Sequence, residues 1–190
     1  MNLTEYNRKI FACIAVIVPA IIVTFGAFGM PTHQTNQVSE FNRPDLMFMN
    51  MMIIHHDQAI EMAELAENRT DNENLLKLSQ NISQAQTEEN QKMSGWLREA
   101  GFNHPMRGHR MAGMATQQEM NDLRQSQGRE FDILFSELMI EHHEGGIQMA
   151  RAEVQNGKSK KVVELAQSMI DAQQEEVEKM ETWRNKWKVS

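Results

Sequence analysis

Cysteine is almost absent from this 190-residue sequence, whose one example is Cys13 in an apolar N-terminal stretch. The rest of the chain therefore offers neither a disulfide nor a thiolate metal site. It also has no Gly-rich phosphate loop, no Ser-His-Asp arrangement and no C-x-x-C pair. These absences argue against nucleotide-binding, serine hydrolase and dithiol redox functions.

Positive charge is scarce as well. Lysine and arginine together number 19 against 26 aspartates and glutamates, which gives a formal net charge of −7. A chain of this balance lacks the basic surface that nucleic acid requires, so no nucleic-acid partner is expected. Its charge favours cations instead.

An uncharged apolar stretch runs from residue 10 to residue 30, directly after Arg8 and Lys9. Residues 1–30 are therefore predicted to be a signal peptide or a transmembrane anchor, with the membrane as a partner. The stretch exceeds the usual signal-peptide core of about 7–15 residues, which favours the anchor. Either interpretation places the remaining chain in the periplasm or on the extracytoplasmic face of the inner membrane, anchored or secreted.

Two segments of the chain repeat each other at a constant offset of 87 residues. Both contain M-I-x-H-H-x-x-x-I-x-M-A, and residues 45–97 align without a gap to residues 132–184. Apolar residues recur at three- and four-residue spacing, so each copy predicts a helical hairpin. The predicted fold class is all-α, a ferritin-like four-helix bundle over 44–187 after a polar linker at 31–43. The hairpins are expected at about 44–101 and 129–187, linked by 101–128.

Two capping boxes help to place the helix starts. Thr70 to Glu73 predicts that the second helix begins near residue 71, and Thr116 to Glu119 predicts a short helix in the connection. The apolar stripes of the second and fourth long helices are expected to include Ala85 and Ala172.

Histidine and methionine carry the predicted chemistry, because imidazole and thioether sulfur are both metal ligands and the sulfur is the soft one. Carboxylates on an apolar stripe are costly unless they are paired or bind metal. The candidate interior metal site comprises His55, His56, His142, His143, Met52, Met139, Glu89 and Glu176. The alternative is a hydrogen-bonded polar layer in a helical scaffold that binds nothing. If metal binds, ordinary imidazoles should lose it to protons below about pH 6.5.

A second cluster of soft ligands is predicted around the connection. Four methionines within residues 47–52 cannot share one helix face, which weakens their interpretation as core filler. Loop methionines that fix the connection to the bundle are the alternative. The candidate ligands of a more exposed site are Met47, Met49, Met51, Met106, His109, Met111 and Met114, with His104 nearby.

The strongest enzyme alternative is a ferritin-like di-metal redox enzyme. Such di-iron sites use Glu-x-x-His from each half, whereas here Met52 and Met139 precede the histidine pairs by three residues. Thioether ligands favour Cu(I), while iron prefers carboxylates. The sequence therefore favours a binding protein over an enzyme, with copper as the metal and silver as its analogue.

The doubled histidine motif and the linking G-M-A-T-x-x-x-M-x-x-L-x-x-x-x-G-x-x-F-D, Gly113 to Asp132, resemble the domain-of-unknown-function 305 family. The resemblance covers about residues 42–187. It implies a ferritin-like fold and extracytoplasmic copper binding or copper resistance. The predicted function is therefore sequestration or transfer of Cu(I) or Ag(I), or resistance to it, with a copper-transfer protein or a second copy as the expected partner. The residues on the family's motif positions are His55, His56, His142, His143, Met52, Met62, Met139 and Met149. Gly145 and Gly146 depart from the first copy, which has Gln58 and Ala59.

Overall fold

The computed structural model describes residues 39–102 and 111–189, and within them all regular structure is helical. The all-α prediction is confirmed. Helices α1 to α5 span Arg43–Leu65, Glu73–Glu99, Gln117–Gln125, Gly128–Asn156 and Lys160–Val189, and a 3₁₀ turn covers Ala66–Asn68.

The predicted signal or anchor at 1–30, and most of the predicted linker, lie outside the described residues. Within the described part of the chain, no helix is both long and apolar enough to cross a membrane.

Polar side chains fix the helix starts. Thr116 and Glu119 form the predicted capping box of α3. The box predicted at Thr70 is wrong, since α2 is capped by Asn72, whose side-chain oxygen accepts from the backbone N–H groups of Asn74 and Leu75. Thr70 instead accepts a hydrogen bond from the Asn72 backbone N–H through its hydroxyl at 3.0 Å.

The four long helices pack as two hairpins, α1 with α2 and α4 with α5, and α1 also packs on α4. Two apolar clusters form the core. One contains the N-terminal half of α1 and the C-terminal half of α4, so these two helices are antiparallel. Its members include Met49, Met52, Met93, Ile147, Ala150 and Met169. The other includes Ala59, Met62, Ile82, Phe135, Met139 and Met180.

In the middle of α2 and of α5, the buried residue is the one after the residue predicted to be buried. Ala85 and Ala172 are exposed, whereas their neighbours Gln86 and Gln173 are buried. These glutamines are also 87 positions apart, and they lie on the stretches of α2 and α5 between the two apolar clusters. The core therefore has a polar middle, with apolar clusters on both sides.

Asp45 joins the two hairpins at the N-terminus of α1. Its buried carboxylate accepts backbone N–H groups from Asn42 at 2.6 Å, Lys158 at 3.0 Å and Ser159 at 3.1 Å. Glu153, only 2% exposed, lies beside it, and within the described residues neither of its side-chain oxygens has a hydrogen-bond donor. Burial, followed by the neighbouring Asp45 carboxylate, raises the pKa of Glu153 to about 8.

Candidate metal centre

Four imidazoles meet in the polar middle of the bundle. His55 and His142 are repeat-related and face each other across the α1–α4 contact, with ring centroids 3.7 Å apart at an interplanar angle of 35°. His143 lies farther along the layer, 6.4 Å from the ring of His142. All four rings are at most 1% exposed. The structure thus brings the predicted histidines of both copies into one buried layer.

The outer two histidines each bond to a carboxylate of their own hairpin. His56 Nε2 lies 2.8 Å from an oxygen of Glu89, and His143 Nε2 lies 2.8 Å from an oxygen of Glu176. Both glutamates remain partly open to solvent at their edges. These identical pairs reproduce the 87-residue repeat in three dimensions.

The layer contains more hydrogen-bonding atoms than it has partners. Within the described residues, the Nδ1 atoms of all four histidines are buried without a partner, as is Nε2 of His142. The side-chain oxygens of Gln86 and Gln173 are also unpartnered. A buried polar group left unpaired costs about 1–3 kcal/mol. The unpaired ring nitrogens are the atoms of the layer that are open to a ligand.

The two central imidazoles remain neutral over the ordinary pH range. Burial lowers the pKa of His55 to about 3, and the neighbouring His56 adds to the effect. Burial likewise holds the pKa of His142 well below its ordinary value, with His55 next in importance. The expectation of proton competition near pH 6.5 is therefore wrong for these two rings, because it assumed solvated imidazoles.

Soft sulfur atoms flank the layer. Met52 precedes His55 by one helical turn and Met139 precedes His142 in the same way, and both side chains are fully buried. Met52 belongs to one apolar cluster and Met139 to the other, so the two thioethers lie on opposite sides of the imidazoles. Met62 is buried in the cluster that contains Met139. Its counterpart Met149 is only half-buried.

The predicted outer cluster is only partly described. Met47, Met51 and Met114 are half-buried and Met111 is buried. Met49 is fully buried in the apolar core, so it does not belong to an exposed site, because its helix face turns inward. His104, Met106 and His109 lie outside the described residues.

Residues 111–116, which we call the strap, cross the histidine layer between α1 and α4. The Ala112 carbonyl lies 3.2 Å from His55 Nε2. The Gln58 amide holds Ala115 twice, donating to its carbonyl at 2.9 Å and accepting from its N–H at 2.7 Å. The strap therefore closes one side of the layer with main-chain atoms.

Two glycines make room for the strap. Gly113 has φ +78°, and a side chain there would collide with the α4 backbone at Glu141 and His142. A Cβ at Gly145 would collide with the Ala112 carbonyl. The helical glycine of the second copy thus serves close packing of the strap on α4.

Within the described residues, no three His, Cys, Asp or Glu side chains are arranged as a metal site. These four residue types do not include methionine, whose thioether sulfur is also a metal ligand. The donors that the layer does offer are imidazole nitrogens and the sulfur atoms of Met52 and Met139, which is the donor chemistry of a soft ion.

A family model described as "Domain of unknown function (DUF305)" matches residues 45–184, nearly all of the described helices. The chain belongs to the DUF305 family. The resemblance seen in the doubled histidine motif and the G-M-A-T segment is thereby confirmed. No curated protein sequence matches the chain.

Solved DUF305 structures share the fold. One, from Streptomyces coelicolor and provisionally assigned as secreted, has a TM-score of 0.72 at 32% identity and covers 76% of this chain and 93% of its own. CopM in its Cu(I)-bound form has a TM-score of 0.65 at 30% identity and covers 75% and 96%. CopM has also been solved with Cu(II), at 29% identity, and with silver, at 30%.

Sequence reasoning missed two parts of this centre. Gln86 and Gln173 appear as ordinary polar helix residues, although their identity at the 87-residue offset was a signal that they share an environment. The strap gave no comparable signal, because its contact with His55 is made by a backbone carbonyl.

Proposed function

We propose that this DUF305 protein binds Cu(I), with Ag(I) as an analogue, and sequesters or transfers it outside the cytoplasmic membrane. The observation that supports this function is the buried histidine layer, with an unpartnered Nδ1 on each of its four rings, between two buried thioethers. Copper and silver in the CopM structures support the same metals for this chain.

The orientation of the outer histidines fits a metal centre. A metal-binding imidazole usually donates its other N–H to a carboxylate, which fixes the tautomer. Here Glu89 and Glu176 accept from Nε2 of His56 and His143, which leaves both Nδ1 lone pairs unpartnered. Although Glu89 and Glu176 were candidate ligands, these contacts support an orienting role for them.

A structural polar layer explains the site less well than copper does. In a scaffold, buried polar atoms are expected to satisfy one another. This layer instead has four imidazole Nδ1 atoms and two glutamine oxygens without partners among the described residues. A ligand that accepts lone pairs would remove most of this cost, which an empty scaffold would carry permanently.

A redox enzyme remains the alternative from another class. We propose binding rather than catalysis because Met52 and Met139 occupy the positions at which di-iron sites carry glutamate. We also propose the ferritin-like arrangement with one crossover, since α1 and α4 are antiparallel and the 101–128 connection joins the hairpins. The extracytoplasmic location rests on the basic residues before the apolar N-terminal stretch, and a provisionally secreted relative supports it.

Metal selectivity tests the proposal. The purified Cys13→Ser protein, which has no thiol, should retain Cu(I) or Ag(I) in preference to Zn(II) because thioether sulfur favours soft ions. Native mass spectrometry after competition between Cu(I) and Zn(II), under reducing conditions, gives the occupancy of each metal. Equal or tighter retention of Zn(II) would contradict the soft-metal assignment, and retention of neither metal would favour the scaffold.

Copper in the histidine layer should also resist mild acid. Since the pKa of His55 is about 3 and that of His142 lies well below its ordinary value, protons should not displace metal from these rings as the pH falls from 7 to about 4.5. Equilibrium dialysis at fixed total copper measures the retained metal. A synthetic peptide of residues 50–60 is the control, since the ligands of the first copy, Met52, His55 and His56, are solvated there and should release copper near pH 6.5. Release from the folded protein at the same pH as the peptide would show that the copper lies elsewhere.

A further inference from the structure

The strap touches the two halves of the duplicated bundle differently. Position 58 of the first copy corresponds to position 145 of the second. At position 58 a glutamine holds Ala115 with two hydrogen bonds, whereas at position 145 a glycine leaves space for the Ala112 carbonyl. The Ala112 carbonyl lies 3.2 Å from His55 Nε2, whereas within the described residues no strap carbonyl bonds to a ring nitrogen of His142.

The consequence for His55 follows from hydrogen-bond chemistry. A carbonyl oxygen can only accept, so the 3.2 Å contact with Ala112 is favourable only when His55 Nε2 carries the proton. A neutral imidazole has one N–H and one lone pair, so the lone pair is then on Nδ1. That atom is buried and unpartnered.

We propose that the strap selects the Nε2–H tautomer of His55, so that Nδ1 is the atom presented to a soft metal ion, and that Gln58 and Gly145 are the positioning residues of this device. All four imidazole Nδ1 atoms are unpartnered. The acceptor that faces Nε2 is a main-chain carbonyl at His55. It is a carboxylate at His56 and at His143. The ring of His142 bonds to neither the strap nor a carboxylate; its main-chain interaction is with His55, and within the described residues neither of its ring nitrogens makes a hydrogen bond of ordinary geometry.

This inference rests on the proposed function for the identity of the ligand but not for the tautomer, which exists in the metal-free protein. A test on the metal-free chain therefore separates the two. A wild-type protein that binds no copper would contradict the proposed function and leave the tautomer result standing.

The experiment is a long-range ¹H–¹⁵N correlation spectrum of the imidazole rings in the ¹⁵N-labelled, metal-free full chain. In wild type, the ratio of the Nε2–H form to the Nδ1–H form of His55 should exceed that of a solvated histidine by about fivefold, as expected for one buried hydrogen bond. Gly145→Ala should displace Ala112 and lower this ratio towards the value of a solvated histidine. Gly95→Ala is the matched control, because its added Cβ on α2 meets nothing closer than the Arg98 side chain at 3.9 Å.

A second pair of variants avoids dependence on the folding of Gly145→Ala. Gln58→Glu can still accept from the Ala115 N–H but, as a carboxylate, cannot donate to its carbonyl, so it should give an intermediate ratio. Gln148→Ala, at an exposed position of α4, should leave the ratio unchanged. Circular dichroism confirms that each variant is helical before its spectrum is interpreted.

The copper arm uses Cu(I) as the probe on the same proteins. Loss of a partner that orients a ligand weakens metal binding by about 10–100-fold, so Gly145→Ala should bind Cu(I) about tenfold or more weakly than Gly95→Ala. A dominant Nδ1–H form in wild type, or an unchanged ratio in folded Gly145→Ala and Gln58→Glu, would overturn the proposal.

Discussion

Replacing Met52 and Met139 together by leucine should weaken Cu(I) binding by about a hundredfold or more while Zn(II) binding changes little. Loss of an outer-shell partner already costs about 10–100-fold, and a direct ligand should cost at least as much. The protein ligands of zinc are thiolate, imidazole and carboxylate, so the affinity for Zn(II) should not depend on these two methionines. Leucine and methionine have similar volumes, which keeps the destabilisation below about 1.5 kcal/mol. Competition with a chromogenic Cu(I) chelator measures the affinity.

A matched control for this pair exists in the same core. Met93 and Met180 are also fully buried and related by the 87-residue offset, and each shares an apolar cluster with Met52 or Met139. Replacing both with leucine removes the same number of sulfur atoms from the same environments. Equal losses of Cu(I) affinity in the two double variants would show that core packing, rather than thioether coordination, controls binding.

The free energy of unfolding of wild type, measured relative to that of Glu153→Gln, should fall as the pH rises from about 4.5 to about 8. The pKa of Glu153 is raised to about 8, so the folded protein holds a proton there that the unfolded chain releases near its ordinary pKa of about 4.5. Each pH unit in this window removes up to about 1.4 kcal/mol from this group. Above pH 8 the folded state must bury a second carboxylate charge beside Asp45. Glu153→Gln carries no charge at any pH and can donate to Asp45, so this contribution should disappear.

Urea unfolding at pH 5.5 and pH 8.5 measures the effect through the transition midpoint at constant slope. At pH 8.5 we expect Glu153→Gln to be more stable than wild type. Glu144→Gln, at an exposed position of the same helix, is the control and should keep the wild-type dependence. A variant at position 153 that follows the wild-type curve would show that Glu153 is ionised in the folded protein and finds compensation elsewhere.

The helices were predictable because the apolar spacing is a local feature of the sequence, and the 87-residue repeat presents the same spacing twice. Errors occurred where two local interpretations competed. Thr70 and Asn72 can each cap a helix, and only the packing of the junction decides that Asn72 caps α2. Ala85 was the obvious apolar choice for the α2 stripe, but the layer beside the histidines is polar, so Gln86 is buried there instead.

The candidate site could be predicted as a set of residues, but not as a geometry. Histidine pairs at equivalent positions of two hairpins necessarily approach each other when the hairpins pack. The sequence could not show that Glu89 and Glu176 contact Nε2, or that burial keeps His55 and His142 neutral. Those properties depend on side-chain direction and on solvent exclusion, which exist only in the assembled bundle.

A single connecting segment that crosses a two-fold axis cannot make the same contacts with the two halves that the axis relates. The strap lies on such an axis, so the residues beneath it must differ between the halves, as Gln58 and Gly145 do. The polar side chains of the layer are the same in both halves, with histidine, glutamine and glutamate at each paired position. A chain built from two copies of one hairpin joined by the same connection would lose one of these contacts: glutamine at both positions would leave no space for the Ala112 carbonyl, and glycine at both would remove the hydrogen bonds to Ala115.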